Sequence, residues 1–519
     1  MKSRSEIIQQ IQVHPEFDII VIGGGASGIG TALEASLRGY RTLLLEKHDF
    51  TKGTSSKSTK LIHGGVRYMA QGDLKMVVEA LKERGYLVRN APHLVHDQPF
   101  IIPVFSWWAA IYYTIGLKFY DLLSGKLSLG RSVFMKRKAV LEKLEGISSK
   151  GLKGGVKYHD GQFDDSRLAI DLLHAHLDKG GLALNYAEVT TLLKNSNGDI
   201  QGVRFEEQAS KQSIEVKAKT VINACGVWVD DVLTLDEPDH EKYIRPSQGI
   251  HLVLHKKFLP GTHALMIPKT SDGRVLFAVP WHDHLVVGTT DTPIDRSDVE
   301  PLPLAEEIAF IIETASHYLS ENIERKDVLA VFAGLRPLAA PQKGSSKTKE
   351  ISRNHKVILS KSKLISVIGG KWTTYRKMAE DIISVAIKNK LLPPSKSISK
   401  DFALSEAMKP VQNKYASYGR NASHLHMLEE SGPELSKKAH PQLPYTWAEL
   451  IYCCKHEMVE HLEDLLARRT RALFLNARAT TEIAETVARK IAPDLDWNQE
   501  RIEMEVKNFK ELADKYILK

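Results

Sequence analysis

Apolar residues occur along the chain in short, separated runs that predict alternating strands and helices. Residues 19–22 are four consecutive apolar residues, the pattern of a strand buried on both faces. A glycine-rich stretch follows, residues 32–37 have helical character, and Gly39 ends this helix. Residues 42–45 form a second apolar run of strand length. This order of elements predicts the beginning of a parallel sheet.

Later runs predict a second sheet and a helical C-terminal part. Helical spacing of apolar residues occurs at 73–88, 166–179 and 302–318. Strand patterns occur at 182–186, 203–207, 214–218 and 220–228, and a β-rich region follows with strands at 250–254, 275–279 and 285–288. From about residue 402 the chain is helical and charged. In the stretch 463–473, Arg468, Arg469 and Arg471 are expected on a solvated helix face or in a contact with an anion or a second subunit. The predicted fold class is α/β (α+β overall).

The predicted domain organisation has three parts. Residues 1–16 are a short N-terminal lead-in that is either frayed or amphipathic. Residues 17–393 are one unit, with a Rossmann-like domain (about 17–90, 150–235 and 355–393) and a β-rich substrate domain (about 91–149 and 236–354). A proline- and serine-rich linker at 392–400 leads to a C-terminal helical domain, residues 394–519.

The glycines after the first strand fit a nucleotide-binding turn. Gly23, Gly25 and Gly28 have G-x-G-x-x-G spacing. The first permits a tight turn, the second lets the backbone approach a pyrophosphate, and the third lets the helix pack close to the strand. Glu46 closes the second strand, where a carboxylate accepts hydrogen bonds from ribose hydroxyls. This stretch predicts a dinucleotide without a 2′-phosphate, which is compatible with NAD and with FAD.

The stretch 51–68 is rich in glycine and small hydroxyl residues, with basic residues between them. A polar surface loop would have this composition. The functional interpretation is a loop laid along the cofactor, in which hydroxyls donate hydrogen bonds to it and Gly64 and Gly65 allow close approach. In that case His63 and Arg67 face the reacting centre.

A second strand-to-helix turn occurs at 363–374, where Gly369 and Gly370 follow an apolar run and Lys371 lies in the turn. The strand at 220–228 also ends in small residues that can pass close to a pyrophosphate. Two such turns, near residues 23 and 369, favour one extended ligand, FAD rather than NAD. The predicted cofactor-binding residues are Gly23, Gly25, Ser27, Gly28, Glu46, Thr54, Ser55, Ser56, Lys60, His63, Gly64, Gly65, Val189, Ala224, Gly226, Gly370, Lys371, Thr373 and Thr374.

Composition narrows the function classes. The 519 residues carry a formal net charge of +8, which indicates either solubility alone or an anionic substrate or membrane surface. We find no nucleic-acid-binding module and no long basic run. Three cysteines make no disulfide framework and indicate a reducing compartment. The histidine pairs lack further ligands, so no metal site is predicted.

The stretch 98–117 carries no charge and is rich in aromatic residues. Its length is close to that of a membrane span, but Pro99 and Pro103 lie at its start and polar residues dilute it. We therefore predict a strand followed by a helix that is buried or lies at a membrane interface, where Trp and Tyr are enriched.

With these motifs in hand, the sequence resembles the FAD-dependent (aerobic, respiratory) glycerol-3-phosphate dehydrogenases. The motifs that carry the resemblance are Thr54-Ser-Ser-x-Ser-x-Lys-Leu-Ile-His-Gly-Gly-Val-Arg-Tyr68, Gly334-Leu-Arg-Pro337, Gly369-Gly-Lys-x-Thr-Thr-Tyr-Arg376 and Asp464-Leu-Leu-Ala-Arg-Arg-Thr-Arg471. The resemblance covers residues 17 to 510. It implies hydride transfer from sn-glycerol 3-phosphate to FAD, giving dihydroxyacetone phosphate, with electrons passed to a membrane quinone.

The resemblance also implies roles for individual residues. Its substrate-binding residues are Arg67, Tyr68, Arg336, Arg353 and Lys371, because a phosphate dianion needs fixed cations and arginine offers bidentate donors. The catalytic residues are Arg336 and a histidine base, either His251 or His63.

The resemblance further implies a homodimer in the cytoplasm, bound peripherally to an anionic membrane surface on the inner face of the cell membrane. A calcium-binding D-x-[DN]-x-[DN]-G loop is missing from the sequence, so the calcium-regulated form of the family is not supported. Three alternatives stay open: an oxidase that passes electrons from the same substrate to O2 and gives H2O2, an amino-acid or amine oxidase of the same fold, and a flavoprotein that binds or senses at the membrane.

Overall fold

The computed structural model describes residues 3–65, 69, 73–271, 273–340, 355–404 and 414–519. Strands β1–β18 span, in order, Glu16–Ile22, Thr42–Leu45, Leu61–Ile62, Val95–Val104, Val133–Lys136, Gly154–Phe163, Leu182–Leu184, Ala187–Lys194, Ile200–Glu207, Gln212–Asn223, Ile244–His255, Ala264–Ile267, Leu276–Trp281, His284–Gly288, Thr292–Pro293, Val328–Ala339, Lys356–Leu359 and Ile365–Ile368. The α-helices span Arg4–Val13, Ala26–Leu37, Leu74–Asn90, Trp107–Ser124, Arg137–Lys143, Asp165–Asp178, Val229–Asp236, Ala305–Tyr318, Tyr375–Lys388, Ala422–Glu430, Trp447–His456, Ala472–Leu475, Ala477–Ile491 and Gln499–Asp514.

The first sheet is built around β1, the strand that precedes the glycine-rich turn at residues 23–28 (the glycine turn). Its order is β17-β18-β10-β1-β2-β7, and β1 is paired in parallel with β10 on one side and with β2 on the other. The helix Ala26–Leu37 packs between this sheet and the helices Asp165–Asp178 and Tyr375–Lys388. The predicted α/β fold is therefore confirmed, with helices covering a mostly parallel sheet.

The helix Ala26–Leu37, which follows the glycine turn, is longer than its apolar pattern predicts. It begins at Ala26 rather than at residue 32, and it includes Gly28 and Gly30 in its first turns. Glycine lowers intrinsic helix propensity, which is why the sequence gives little helical signal there. A Cβ at Gly30 would lie 2.6 Å from the Tyr375 ring, so close packing of helices requires glycine at this position.

One long strand replaces two predicted ones. The sequence predicts separate strands at 214–218 and 220–228, whereas β10 runs without a break from Gln212 to Asn223. Its first half pairs antiparallel with β9, and its second half pairs in parallel with β1. A 3₁₀ turn, Gly226–Trp228, follows and brings the chain back toward the glycine turn.

The second sheet has ten strands and forms the β-rich part of the molecule. Its path is β15-β11-β14-β13-β12-β4-β6-β3, with β16 paired along β11 and β5 paired with β6. The antiparallel β11–β16 pair brings His251 opposite Phe332 and Ser247 opposite Arg336. Two basic side chains predicted for the site therefore come from adjacent strands.

The C-terminal helices pack on the back of this second sheet. Their core includes Val253 of β11, Val286 of β14 and Ala330 of β16. Residues 464–469 form a short π-helix in which every residue is buried. At the other end of the chain, the predicted lead-in is a capped helix, Arg4–Val13, whose Ile7 and Ile11 are buried against the first sheet. The domain boundaries given above stay a prediction.

The aromatic stretch at 98–117 is a strand and a helix, β4 and Trp107–Ser124. One face of this helix is exposed and apolar: Trp108 is 83% exposed, and Tyr112, Ile115 and Leu122 are each at least 65% exposed. Among the described residues, no helix is long and apolar enough to cross a bilayer.

Candidate active site

A cavity of about 570 Å³ lies where the first strands of the parallel sheet end. This volume is within the range of roughly 300–1,000 Å³ that is typical of cofactor sites. The glycine turn forms one wall, and Gly25 is the N-cap of the helix Ala26–Leu37, so the helix N-terminus faces the cavity. The site therefore offers backbone N–H groups to a pyrophosphate.

Two glycines of this turn are required by space. Gly23 has φ +106°, and a Cβ there would lie 2.8 Å from the Ala224 carbonyl oxygen. A Cβ at Gly28 would lie 1.7 Å from the Gly23 carbonyl oxygen. Glycine at positions 23 and 28 is therefore needed for the turn between β1 and the helix. Glycine at position 23 also lets the chain after β10 pass close to this turn.

Glu46 lies at the rim of the same cavity, as its position after β2 predicts. Its carboxylate accepts hydrogen bonds from the backbone N–H groups of Gly24 and His48. Burial raises the pKa of Glu46, and these two backbone donors oppose that effect. The carboxylate is thereby held in one orientation beside the glycine turn, where ribose hydroxyls would bind.

Eleven of the residues predicted to bind the cofactor line this cavity: Gly23, Gly25, Ser27, Glu46, Thr54, Ser55, Val189, Ala224, Gly226, Gly370 and Lys371. Three others, His63, Gly65 and Thr373, line a second cavity next to it. Gly64 donates its N–H to the Tyr120 hydroxyl, and the buried Thr374 hydroxyl donates to the Lys371 carbonyl oxygen. Ser56 and Lys60 are buried and line neither cavity.

The second cavity has a volume of about 280 Å³ and meets the first at Thr54, Pro337 and the turn 370–372. The Trp372 indole donates to the Ser55 carbonyl oxygen at 2.8 Å, which joins the two cofactor-side loops there. A ring held at this junction would face the second cavity. Basic side chains on the lining of that cavity are Lys57, His63, His251, Arg274, Arg336 and Lys371.

His251 is placed deep in the second cavity and is 2% exposed. Its Nε2 is 2.9 Å from the Thr59 hydroxyl, and its ring stacks on Phe332 with 4.9 Å between the ring centroids. Burial, and then the positive charges of Lys60 and Arg336, hold the pKa of His251 well below its usual range. The imidazole is therefore neutral at pH 7, which is the form that can accept a proton.

Arg336 lies on β16 in extended backbone, as its position before Pro337 predicts. Its guanidinium donates to the Gln248 carbonyl oxygen at 3.2 Å and to the Thr289 hydroxyl at 3.1 Å. Asp291 lies 3.6 Å from it. Arg336 and His251 thus share one cavity, which also contains Lys371 and His63. Arg67, Tyr68 and Arg353 lie outside the described residues.

A cluster of buried ions consists of Asp49, Arg468 and Arg469. It lies behind the first cavity (the cofactor cavity). Asp49 accepts hydrogen bonds from Arg468 at 2.5 Å and from Arg469 at 2.6 and 2.7 Å. Burial alone would raise the pKa of Asp49, but the two guanidiniums lower it. Nearby, Lys52 lines the cofactor cavity and pairs with Glu463 of the C-terminal part. These contacts join the C-terminal part to residues 46–52, which are called the cofactor loop because Glu46 and Lys52 line the cofactor cavity.

Sequence reasoning missed this arrangement. A solvated helix face, or a contact to an anion or a second subunit, was the expectation for Arg468, Arg469 and Arg471, whereas all three are buried inside the chain. The available signal was their position among apolar residues, since Leu465, Leu466 and Leu473 flank them. Arg274 was missed as well, because it lies in a loop that shares no motif with the other basic residues.

Comparison with known proteins identifies the family. The family described as "FAD dependent oxidoreductase" matches residues 18–376, and "C-terminal domain of alpha-glycerophosphate oxidase" matches residues 360–502. The human protein "Glycerol-3-phosphate dehydrogenase, mitochondrial" is 38% identical over 543 residues, which cover 96% of this chain and 74% of that protein. The chain belongs to the FAD-dependent glycerol-3-phosphate dehydrogenase family.

Other relatives agree with this assignment. The Arabidopsis thaliana protein "Glycerol-3-phosphate dehydrogenase SDP6, mitochondrial" is 37% identical and covers 96% of this chain and 86% of its own. The glycerol-3-phosphate dehydrogenase from Bacillus halodurans, solved in complex with FAD, superposes with a TM-score of 0.81 at 28% identity, covering 99% and 97% of the two chains. A reduced L-alpha-glycerophosphate oxidase from Mycoplasma pneumoniae, at 16% identity and a TM-score of 0.58, shares the fold.

The predicted cofactor, FAD, is confirmed by the family. The cavity of this dehydrogenase-family chain fits that cofactor on its own evidence. The glycine turn admits a pyrophosphate, Glu46 lies where a ribose would bind, and Gly370 has φ +97° at the junction with the second cavity. A long ligand can therefore be held from the glycine turn to residues 370–372.

Proposed function

We propose that this protein oxidises sn-glycerol 3-phosphate to dihydroxyacetone phosphate. The observation that carries the proposal is the junction of the two cavities, because a basic cavity opens directly onto the place where a flavin ring would lie. When bound, FAD supplies the acceptor for the hydride that leaves C2 of the substrate. The membership of the family described above supports the same substrate.

The protein's own residues then have three tasks. Arg336 and Lys371, with Arg67, Tyr68 and Arg353, bind the phosphate or the reacting oxygen, since fixed cations suit a dianion. A histidine takes the proton from the C2 hydroxyl as the hydride leaves. We favour His251 over His63 as this base, because its burial and the two neighbouring cations keep it neutral. The positive charge of Arg336 stabilises the developing alkoxide.

The test is anaerobic mixing of the purified holoenzyme with sn-glycerol 3-phosphate. We expect bleaching of the oxidised flavin absorbance at about 450 nm, because the cofactor carries the redox change. Glycerol without phosphate is the matched control and should leave the absorbance unchanged at the same concentration. An FAD-containing protein that is bleached by dithionite but not by sn-glycerol 3-phosphate would contradict the proposed substrate.

The electron acceptor is proposed to be a membrane quinone. Support comes from the exposed apolar face of the helix Trp107–Ser124 and from the charge beside it. Residues 118–157 contain ten lysines and arginines but only three aspartates and glutamates, so this segment holds most of the net positive charge of the chain. An apolar helix face beside basic residues is typical of proteins that bind an anionic membrane surface.

The rival acceptor is oxygen, and it has a separate readout. An oxidase would form one H2O2 for each substrate oxidised, whereas a dehydrogenase would need added quinone for turnover. A solved glycine oxidase and a solved L-amino acid deaminase share the fold at low identity, which supports no particular substrate. The proposed location is the cytoplasmic face of the cell membrane, and the homodimer stays a prediction.

Membrane attachment predicts a specific loss of binding. Replacing both Trp108 and Ile115 with glutamate should move the protein from the pellet to the supernatant when it is sedimented with vesicles that contain anionic phospholipid. The two carboxylates would lie on the apolar face and would be repelled by the lipid headgroups. Met427→Glu is the matched control, since Met427 is also exposed but lies on a C-terminal helix. Equal pelleting of all variants would contradict this attachment site.

A further inference from the structure

Lys60 has an unusual position for a lysine. It is completely buried, and its ammonium donates to Asp165 Oδ2 at 2.6 Å and to the Ser56 carbonyl oxygen at 2.8 Å. Three aromatic rings surround that ammonium: the centroids of Trp281, Phe332 and Phe474 lie 5.3, 5.2 and 5.5 Å from Nζ. A buried cation of this kind is stabilised by its carboxylate partner and by the ring faces.

The turn that contains Lys60 is fixed from several sides. Lys60 has φ +64°, a conformation that non-glycine residues seldom adopt. Its N–H donates to the Ser58 hydroxyl at 3.0 Å, and that hydroxyl donates to Asp165 at 2.7 Å. Arg471 donates to the Ser56 carbonyl oxygen at 2.6 Å, which adds a contact from the C-terminal part. Residues 56–60 are therefore held in one shape.

This turn reaches the active site through Thr59. The Thr59 hydroxyl is 2.9 Å from His251 Nε2. Both residues line the second cavity, whereas Lys60 does not. The Phe332 ring contacts both residues, since His251 stacks on it and the Lys60 ammonium lies 5.2 Å from its centroid. Among the described residues, His251 Nδ1 has no hydrogen-bond partner. Thr59 is therefore the polar contact that orients this imidazole.

We propose that Lys60 is a positioning residue for the reaction: clamped by Asp165, it fixes the 56–60 turn so that Thr59 holds the His251 imidazole in one orientation. The proposal rests on the proposed function only in making His251 the base. Lys60 itself touches neither cavity. Its effect on the reaction is transmitted through Thr59 and through the Phe332 ring.

The charges around His251 give this arrangement an electrostatic consequence. Lys60 and Arg336 are the cations that face the imidazole, with Asp165 beyond Lys60 and Asp291 beside Arg336. Burial lowers the pKa of Lys60 to about 8, although Asp165 opposes the effect, so the lysine is still charged at pH 7. Removing that charge should let the pKa of His251 rise toward its ordinary value. Activity would then be lost at a higher pH as the solution is acidified.

The test compares Lys60→Met with the wild-type holoenzyme, because methionine keeps an apolar side chain among the three rings. We expect kcat for sn-glycerol 3-phosphate to fall about 10- to 100-fold with a change of less than about twofold in KM, since orientation is lost while the cavity lining is kept. The acid limb of the kcat profile should move up by about one pH unit. Lys363→Met, which removes a surface ion pair with Asp199, is the control and should change neither quantity.

A double variant tests the route of the effect. If Lys60 acts through Thr59, then Lys60→Met and Thr59→Val should lower kcat together by no more than the larger single effect. Thr59→Ser, which keeps the hydroxyl, should restore most of the activity lost in Thr59→Val. If Lys60→Met does not accumulate with bound FAD, Ser58→Ala replaces it, because it loosens the same turn without removing a buried charge. A kcat for Ser58→Ala identical to that of wild type would then overturn the proposal, because the loosened turn should misorient His251 even though the charge of Lys60 is kept.

A measurement without substrate separates this proposal from the proposed function. In holoenzyme labelled with 15N-histidine, the His251 signals are assigned by their loss in His251→Gln. We expect His251 to begin protonating at a higher pH in Lys60→Met than in wild type. Unchanged His251 titration together with unchanged kcat would overturn the role of Lys60. A shifted titration in a protein that sn-glycerol 3-phosphate does not reduce would support the positioning role and reject the substrate instead.

Discussion

The Asp49→Asn protein is expected to lose about 3–5 kcal/mol of its free energy of unfolding and to bind FAD poorly. The substitution replaces the carboxylate that pairs with the buried Arg469 by a neutral amide, and it removes one of the carboxylates around Arg468, which keeps Glu463 and Asp464. The cost of an uncompensated buried charge is large because water cannot replace the lost partner. FAD binding should fall as well, since Asp49 lies in the loop whose Glu46 and Lys52 line the cofactor cavity.

This expectation is checked by thermal unfolding of the holoenzyme, followed by circular dichroism and by the fluorescence of released flavin. Arg204→Met is the matched control. It breaks the exposed Arg204–Glu215 pair, which has the same 2.5 Å separation but lies in solvent and should be worth less than about 1 kcal/mol. Unfolding of Asp49→Asn at the wild-type temperature, with full FAD content, would mean that the C-terminal arginines do not stabilise the cofactor loop.

The second large effect is expected for His251→Asn, which should lower kcat about 10³-fold while leaving FAD content unchanged. Asparagine is smaller and polar but cannot take up the proton released from the substrate hydroxyl. In wild type we expect kcat to be constant around pH 7 and to fall only well below pH 6.5, because burial and the two neighbouring cations lower the pKa of His251. The variant should lose this acid limb.

The measurement is the rate of anaerobic flavin reduction as a function of pH. His255→Asn is the control, because His255 is on the same strand but its side chain is exposed and outside the cavity. Dithionite should reduce the flavin of both variants, which shows that the cofactor is intact. Wild-type rates in His251→Asn, with a loss in His63→Asn, would reassign the base to His63.

Local sequence patterns were sufficient for the glycine turn and for the strands on either side of it, although they placed the start of the intervening helix too late. Each of these features is defined by residues close to it in sequence. The strand at 42–45, the glycine turn and Glu46 can therefore be recognised within about thirty positions. The fusion of two predicted strands into β10 could not be predicted, since one partner of that strand is β1, some two hundred residues away. The alternation of apolar and polar residues along β10 does not encode which strand pairs with which half.

The position of a residue on the cavities could be predicted where a sequence motif determines its backbone conformation. It could be predicted much less well where burial against residues distant in sequence determines the direction of the side chain. Arg336 and Lys371 lie on the predicted cavity because their backbone conformation follows from the adjacent proline and glycines. The motif around Thr54 also contains Lys60, and its sequence gave no reason to separate that residue from its neighbours. Its inward direction comes from Asp165, Phe332 and Phe474, which are distant in sequence. Pairing of this kind can be seen only in three dimensions.

The contact between Asp49 and Arg469 joins residues 420 positions apart. During synthesis, the carboxylate and the cofactor loop are made early, while the guanidiniums that neutralise them leave the ribosome near the end. Chain elongation proceeds at roughly 5–20 residues per second, so the unpaired loop would wait about 20–80 seconds in the nascent chain. A ribosome-stalled chain ending before residue 460 should therefore not retain flavin, and chaperones that shield nascent chains would meet this protein mainly in that interval.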